Sequence, residues 1–112
     1  MDPLVRPKGE VSIIDVVGRL TYRSAETEGM GGVIRDLLHA GKKKILLNIE
    51  HVPYIDSESL GVIVAHYKRA IERGGRIKVL KPNDKTLTVL VATRLNLIFE
   101  IFQDEDEAVA SF

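Results

Sequence analysis

Lys44-Ile45-Leu46-Leu47-Asn48-Ile49 is the stretch that decides the fold. A short apolar run without polar alternation reads as a strand buried on both faces, the signature of the middle of a parallel sheet. Pro53 closes the segment, and after Asp56 the residues Leu60, Ile63, Val64, Tyr67 and Ile71 recur at three- and four-residue steps. That spacing predicts an amphipathic helix, with Lys68, Arg69, Glu72 and Arg73 in polar positions and a basic last turn before Gly74-Gly75. A buried strand followed by a well-marked helix is half of a βαβ unit.

The other elements follow on either side. Upstream, Val11, Ile13, Ile14, Val16 and Val17 predict a β-branched strand ending at Gly18, and Pro3 and Pro7 place any earlier strand at a sheet edge. From Ser24 a helix is predicted by Met30, Val33, Ile34, Leu37 and Leu38, with Gly41 at the C-terminal stop; Gly29, Gly31 and Gly32 weaken it by roughly 1 kcal/mol each relative to Ala. Downstream, Ile77-Lys78-Val79-Leu80 predicts a strand, and Pro82-Asn83-Asp84 a turn and N-cap for a helix with Leu87, Leu90 and Val91 on one face. Ile98-Phe99-Glu100-Ile101-Phe102 predicts a last strand, and Asp104 with Glu107 a capping-box-like start to a short terminal helix. Strands alternating with helices require right-handed crossovers. The expectation is one α/β domain over residues 1–112, a mostly parallel β-sheet packed with about four α-helices.

Bulk composition narrows the function. Sixteen Lys plus Arg balance sixteen Asp plus Glu, so no net field attracts a phosphate backbone or an anionic membrane, and direct nucleic-acid binding is not expected. The absence of cysteine removes disulfides, thiolate chemistry and sulfur-ligated metal, and fits a reducing compartment. The longest apolar run, Gly61 to Ala65, is far short of the roughly 20 residues of a membrane helix. No signal segment is read in Met1 to Glu10, so the expected location is the cytoplasm.

In an open α/β sheet, ligands and partners are met beyond the carboxyl ends of the strands, and the loop His51 to Asp56 leaves Lys44–Ile49 at that edge. Helix capping by Asp56 or Ser57 accounts for one polar residue there, but not for four in succession. Hydrolytic chemistry fails on distance. His66 lies nine residues into the same helix, roughly 13 Å along its axis, whereas a base must come within about 3 Å of its nucleophile. His39, His51 and His66 lack metal-ligand spacing, no acid/base pair is evident, and Gly29, Gly31 and Gly32 lie inside a helical pattern, not in a phosphate loop. No catalytic residue, metal or cofactor is expected.

The segment Val52-Pro53-Tyr54-Ile55-Asp56-Ser57-Glu58-Ser59-Leu60-Gly61-Val62-Ile63-Val64 resembles the signature of STAS domains of the bacterial anti-anti-sigma factor (anti-sigma factor antagonist) type, in which Asp-Ser-x-Gly-Leu-Gly opens the second helix. The likeness spans nearly the whole chain: Gly18-Arg19-Leu20 and Ser24-Ala25-Glu26-Thr27 look like the family's strand-to-first-helix junction, Ile45–Ile49 like its central strand and Gly74-Gly75 like its next turn. The resemblance implies a phosphoprotein that regulates transcription by partner switching. A serine kinase that is also an anti-sigma factor phosphorylates the serine after the aspartate, here Ser57 with Asp56 orienting it, and a phosphatase reverses the step. The unmodified form binds the kinase and frees a sigma factor.

The implied partner interface is Tyr54, Leu60, Gly61, Val62 and Ala65. The sequence departs from the pattern at Thr21, where the family often carries an aspartate, at Glu58 in place of a small residue, and at Ser59 in place of a glycine. Ser59 thereby offers a second hydroxyl, and Glu58 a fixed charge beside Ser57. Two other readings stay open: a phosphorylation-independent STAS scaffold or transport-accessory subunit using the same helix face, and a small-ligand or nucleotide binder at the sheet edge.

Overall fold

A computed structural model describes residues 3–112. Leu4–Lys8 (β1) runs antiparallel to Val11–Val17 (β2), paired from Leu4 with Asp15 to Lys8 with Val11. Pro7 lies in this outermost strand, where its missing N–H removes no inner ladder bond, as the sequence led us to expect. Lys44–His51 (β3) and Arg76–Leu80 (β4) then add in parallel, and the two-residue Ile101–Phe102 (β5) completes a five-stranded sheet in the order β1-β2-β3-β4-β5. β3 is the central strand, and residues 45–49 within it are all buried.

Three helices fill the crossovers: Ala25–His39 (α1), Ser57–Glu72 (α2) and Asp84–Ala92 (α3). Right-handed crossovers that step always in one direction across a sheet place their helices on one face. The main core accordingly joins Ile14 and Val16, Ile45, Leu47 and Ile49, and Ile77 and Val79 of the sheet to Met30, Ile34, Leu60, Ile63 and Leu90 of these helices. The fourth helix, Glu105–Ala110 (α4), packs alone on the opposite face, where Ala108 meets Val11, Ile13, Leu46 and Leu80.

The caps follow the sequence. Ser24, Asp56, Asn83 and Asp104 each accept the backbone N–H three residues on with a side-chain oxygen, removing one unpaired donor per helix. α1 and α2 also end alike. Gly41 and Gly74 adopt φ of +79° and +78°, and the next amide reaches back to the helix, Lys42 N to Leu37 O at 2.9 Å and Gly75 N to Ala70 O at 2.7 Å. This is the Schellman termination, in which glycine avoids the Cβ strain of a left-handed residue.

Two expectations change. The last strand is not Ile98–Phe102. Leu95–Leu97 forms a 3-10 turn entered through Arg94 at φ +61°, Phe99 turns inward to be 2% exposed, and only Ile101–Phe102 pairs with β4. The Phe99 ring meets Tyr67 of α2 edge-on, with centroids 5.1 Å apart, so the aromatic serves as a core plug instead of a strand position. In α3 the inward face carries Thr86 and Leu90, with Val89 packed beside them, while Val91 is 53% exposed. A threonine on the buried stripe rotates that face away from the one the aliphatic residues suggest.

Candidate functional site

Beyond the carboxyl ends of β2 and β3, two loops are stitched into one surface. Gly18 N donates to His51 O at 3.1 Å, Leu20 N to Tyr54 O at 2.9 Å and Asp56 N to Leu20 O at 3.0 Å, so Leu20 and Ile55 form a lone parallel bridge that continues the sheet. The segment before α1 and the segment before α2 are therefore held as one body, with both helices starting from it.

Asp56 is the fastening. Its Oδ1 accepts the Ser59 N–H at 2.8 Å, capping α2, and its Oδ2 accepts the Tyr22 N–H of the neighbouring loop at 2.8 Å. The Ser59 amide, with the Tyr22 amide in support and burial opposing, holds this carboxyl below the ordinary carboxylate range, because each N–H bond favours the charged form. Both oxygens serve backbone groups, so Asp56 fixes the start of α2 and ties it to the neighbouring loop.

Ser57, the first residue of α2, is exposed, and so is Glu58. Ser59 is not: its relative exposure is 0%. The Thr27 hydroxyl donates to Thr21 O at 2.9 Å, which uses its only proton, and Ser59 Oγ and Ser24 Oγ lie 3.3 and 3.0 Å from Thr27 Oγ1. Both serines must then donate to it. The expectation of a second available hydroxyl at Ser59 is thus corrected, because Ser59 ties the first turn of α2 to the first turn of α1. Thr21 enters the site through its carbonyl, at the end of the same chain of bonds.

Of the residues expected at a partner interface, Tyr54, Gly61 and Ala65 are exposed and Val62 is half-buried. Leu60 is corrected: it is 3% exposed and belongs to the main core, because it shares the inward side of α2 with Ile63. The surface also holds residues that the sequence did not single out. Tyr22 and Val17 are 57% and 51% exposed, and Arg23 and Arg19 lie over the Tyr22 and Tyr54 rings at 5.1 and 5.6 Å from their centroids. Tyr22 reaches the site only through Asp56, a pairing across 34 positions; the one local hint is its place in a loop between a strand end and an N-cap.

The histidines lie apart from this chemistry. His39 and His51 are exposed, and His66 is buried against α1. Nine residues along a helix is half a turn out of phase, which fits Ser57 facing solvent and His66 facing inward. No three His, Asp or Glu side chains among the described residues converge as metal ligands, and no helix of the described residues is long and apolar enough to cross a membrane.

Comparison with known proteins matches the STAS domain family model to residues 2–108. A protein of Thermotoga maritima named as an anti-sigma factor antagonist is 39% identical over 77 residues, 69% of this chain and 68% of that one. The crystal structure of an anti-sigma factor antagonist from Thermotoga maritima superposes with a TM-score of 0.89 at 30% identity, covering 97% of this chain and 92% of the other. The Bacillus cell fate determinant SpoIIAA in its phosphorylated form superposes with a TM-score of 0.74 at 20% identity, over 97% of both chains, which is a likeness of fold.

Proposed function

The chain belongs to the STAS domain family, and on that premise we propose that it is an anti-sigma factor antagonist, a protein-binding module and not an enzyme, switched by phosphorylation of Ser57. The observation that carries this reading is the contrast at the start of α2, where the Ser57 hydroxyl is exposed and the Ser59 hydroxyl is sealed against Thr27. A kinase approaching this surface meets one reachable serine in the motif.

The chemistry of the switch is electrostatic. A phosphate adds about −1.5 to −2 charge. Asp56 already occupies the Ser59 and Tyr22 amides, and Glu58 stands exposed beside the new group, so the added charge meets like charge at the start of α2. The surface formed by Tyr54, Gly61, Val62 and Ala65 then carries a concentrated negative charge at its edge, and an acidic or apolar partner face is repelled. The sheet and caps need not move. The partner in this reading is an anti-sigma factor that is also a serine kinase, with a phosphatase restoring the binding form.

Site mapping by mass spectrometry, after incubation with the cognate kinase and ATP, tests the proposal. The expected result is one phosphate, on Ser57, absent from Ser57→Ala. Phosphate on Ser59 alone, or none, would favour the phosphorylation-independent scaffold, in which Glu58 supplies a permanent charge at this position.

A further inference from the structure

The seam between α1 and α2 contains a cavity of about 140 Å3. Its α1 wall is made by Gly31 and Gly32, and a Cβ on Gly31 would lie 3.1 Å from His66 Nε2. Glycine at this point lets the imidazole lie directly against the α1 backbone, which gives Gly31 a role that offsets its cost in helix propensity. His66 is 5% exposed, and its Nδ1 is buried with no hydrogen-bond partner among the described residues. An unmatched polar nitrogen in such a site calls for a ligand or an ordered water.

The cavity is also electropositive. Arg35 of α1 and Arg69 of α2 stand in its lining, and neither forms an ion pair among the described residues. Glu28 is the one acidic group in the lining. Burial, followed by the charges of Arg69 and Arg35, holds the His66 imidazole below its ordinary pKa of 6.5. At neutral pH the cavity therefore presents a neutral ring in a lining that holds two guanidinium groups against one acidic side chain.

We propose that this cavity binds a small oxyanion, phosphate or carboxylate, clamped between Arg35 and Arg69 and hydrogen-bonded by the His66 imidazole. The volume is enough to admit one such anion. Guanidinium forks match the geometry of both oxyanion types. Binding cancels the positive charge that now opposes imidazolium, so the anion and a proton on His66 bind cooperatively, and affinity rises as pH falls. The assignment is independent of phosphorylation at Ser57.

Imidazole NMR of the full chain, titrated with sodium phosphate, sodium acetate and sodium chloride at matched ionic strength between pH 5.5 and 7.5, tests it. The expected result is a saturable shift of the His66 resonances with an oxyanion and not with chloride, together with a rise in the His66 pKa. The phosphate and acetate arms identify the oxyanion. Arg35→Gln and Arg69→Gln alter exposed side chains, and each should weaken binding at least about tenfold, the loss of a charge-assisted hydrogen bond, with amide spectra unchanged elsewhere. The proposal is overturned if neither oxyanion gives saturation, if chloride reproduces the shift, or if Arg35→Gln and Arg69→Gln titrate like the wild type.

Discussion

At the scale of single residues, the site depends on which of its polar groups are committed to the structure. Asp56 is readable from sequence as a cap, since Asp before an apolar helical pattern is a start signal. Its second bond, to the Tyr22 amide, is not readable, because nothing local to Tyr22 announces a partner 34 positions away. Ser59 is instructive in another way. It lies on the stripe Ser59, Ile63, His66 and Ala70, which is the buried face of α2, but a polar residue is easily passed over when the stripe is traced from apolar ones. Ser59→Ala removes a buried donor to Thr27 and should cost about 1 kcal/mol, measured by urea denaturation, with no loss of phosphate acceptance at Ser57. A variant as stable as the wild type would mean that the Ser59–Thr27 bond is not part of the fold.

At the scale of elements, the short helix α4 is held by charge as well as by its apolar contacts. Glu105 accepts Arg6 Nη2 at 2.7 Å and Lys8 Nζ at 3.1 Å, while Arg6 also grips Asp15, which Asn48 supports at 2.8 Å. Lys78, 6% exposed, donates to Ser111 O at 2.8 Å and lies 4.6 Å from the Phe112 ring centroid. The Arg6 and Lys8 bonds pull the Glu105 carboxyl from 4.5 down to about 2. A carboxyl depressed in the folded state stabilises it above the ordinary value and loses that contribution as protonation sets in. The hold on α4 should therefore be full near pH 6 and decline from about pH 5 toward pH 2. The protection factors of the α4 amides, taken relative to intrinsic exchange at each pH, should fall across that window, and Glu105→Gln should show the lowered protection already at pH 6; equal protection in both proteins at pH 6 would contradict the clamp. The terminal helix was legible from Asp104 and Glu107, whereas its docking by Arg6 and Lys8 was not, since the pairing spans nearly the whole chain. The same element scale explains the shortened last strand. Phe99 fits a strand pattern and a core plug equally well, and only the Tyr67 ring decides between them. Phe99→Ala should cost about 3–5 kcal/mol by denaturant titration, where a loss under 1 kcal/mol would show a surface position instead.

At the scale of the whole molecule, the order of elements was legible because each strand and helix has its own period and its own stop signal. Lys44–Ile49 placed the central strand, and the one-directional crossovers then fixed three helices on one face. Which residues share the opposite face was less visible, since Asp15, Asn48 and Lys78 interrupt its apolar pattern: Asn48 donates to Asp15, which also binds Arg6, and Lys78 reaches Glu100 and Ser111. This architecture joins the loops after β2 and β3 into one surface, and under the proposed function a charge at Ser57 changes what that surface binds without changing the fold. The direct test is calorimetric affinity of the cognate anti-sigma factor for the wild type, Ser57→Ala and Ser57→Asp, alongside their thermal unfolding. The account predicts similar unfolding for all three, wild-type affinity for Ser57→Ala, and at least tenfold weaker binding for Ser57→Asp; equal affinity across the three would contradict it.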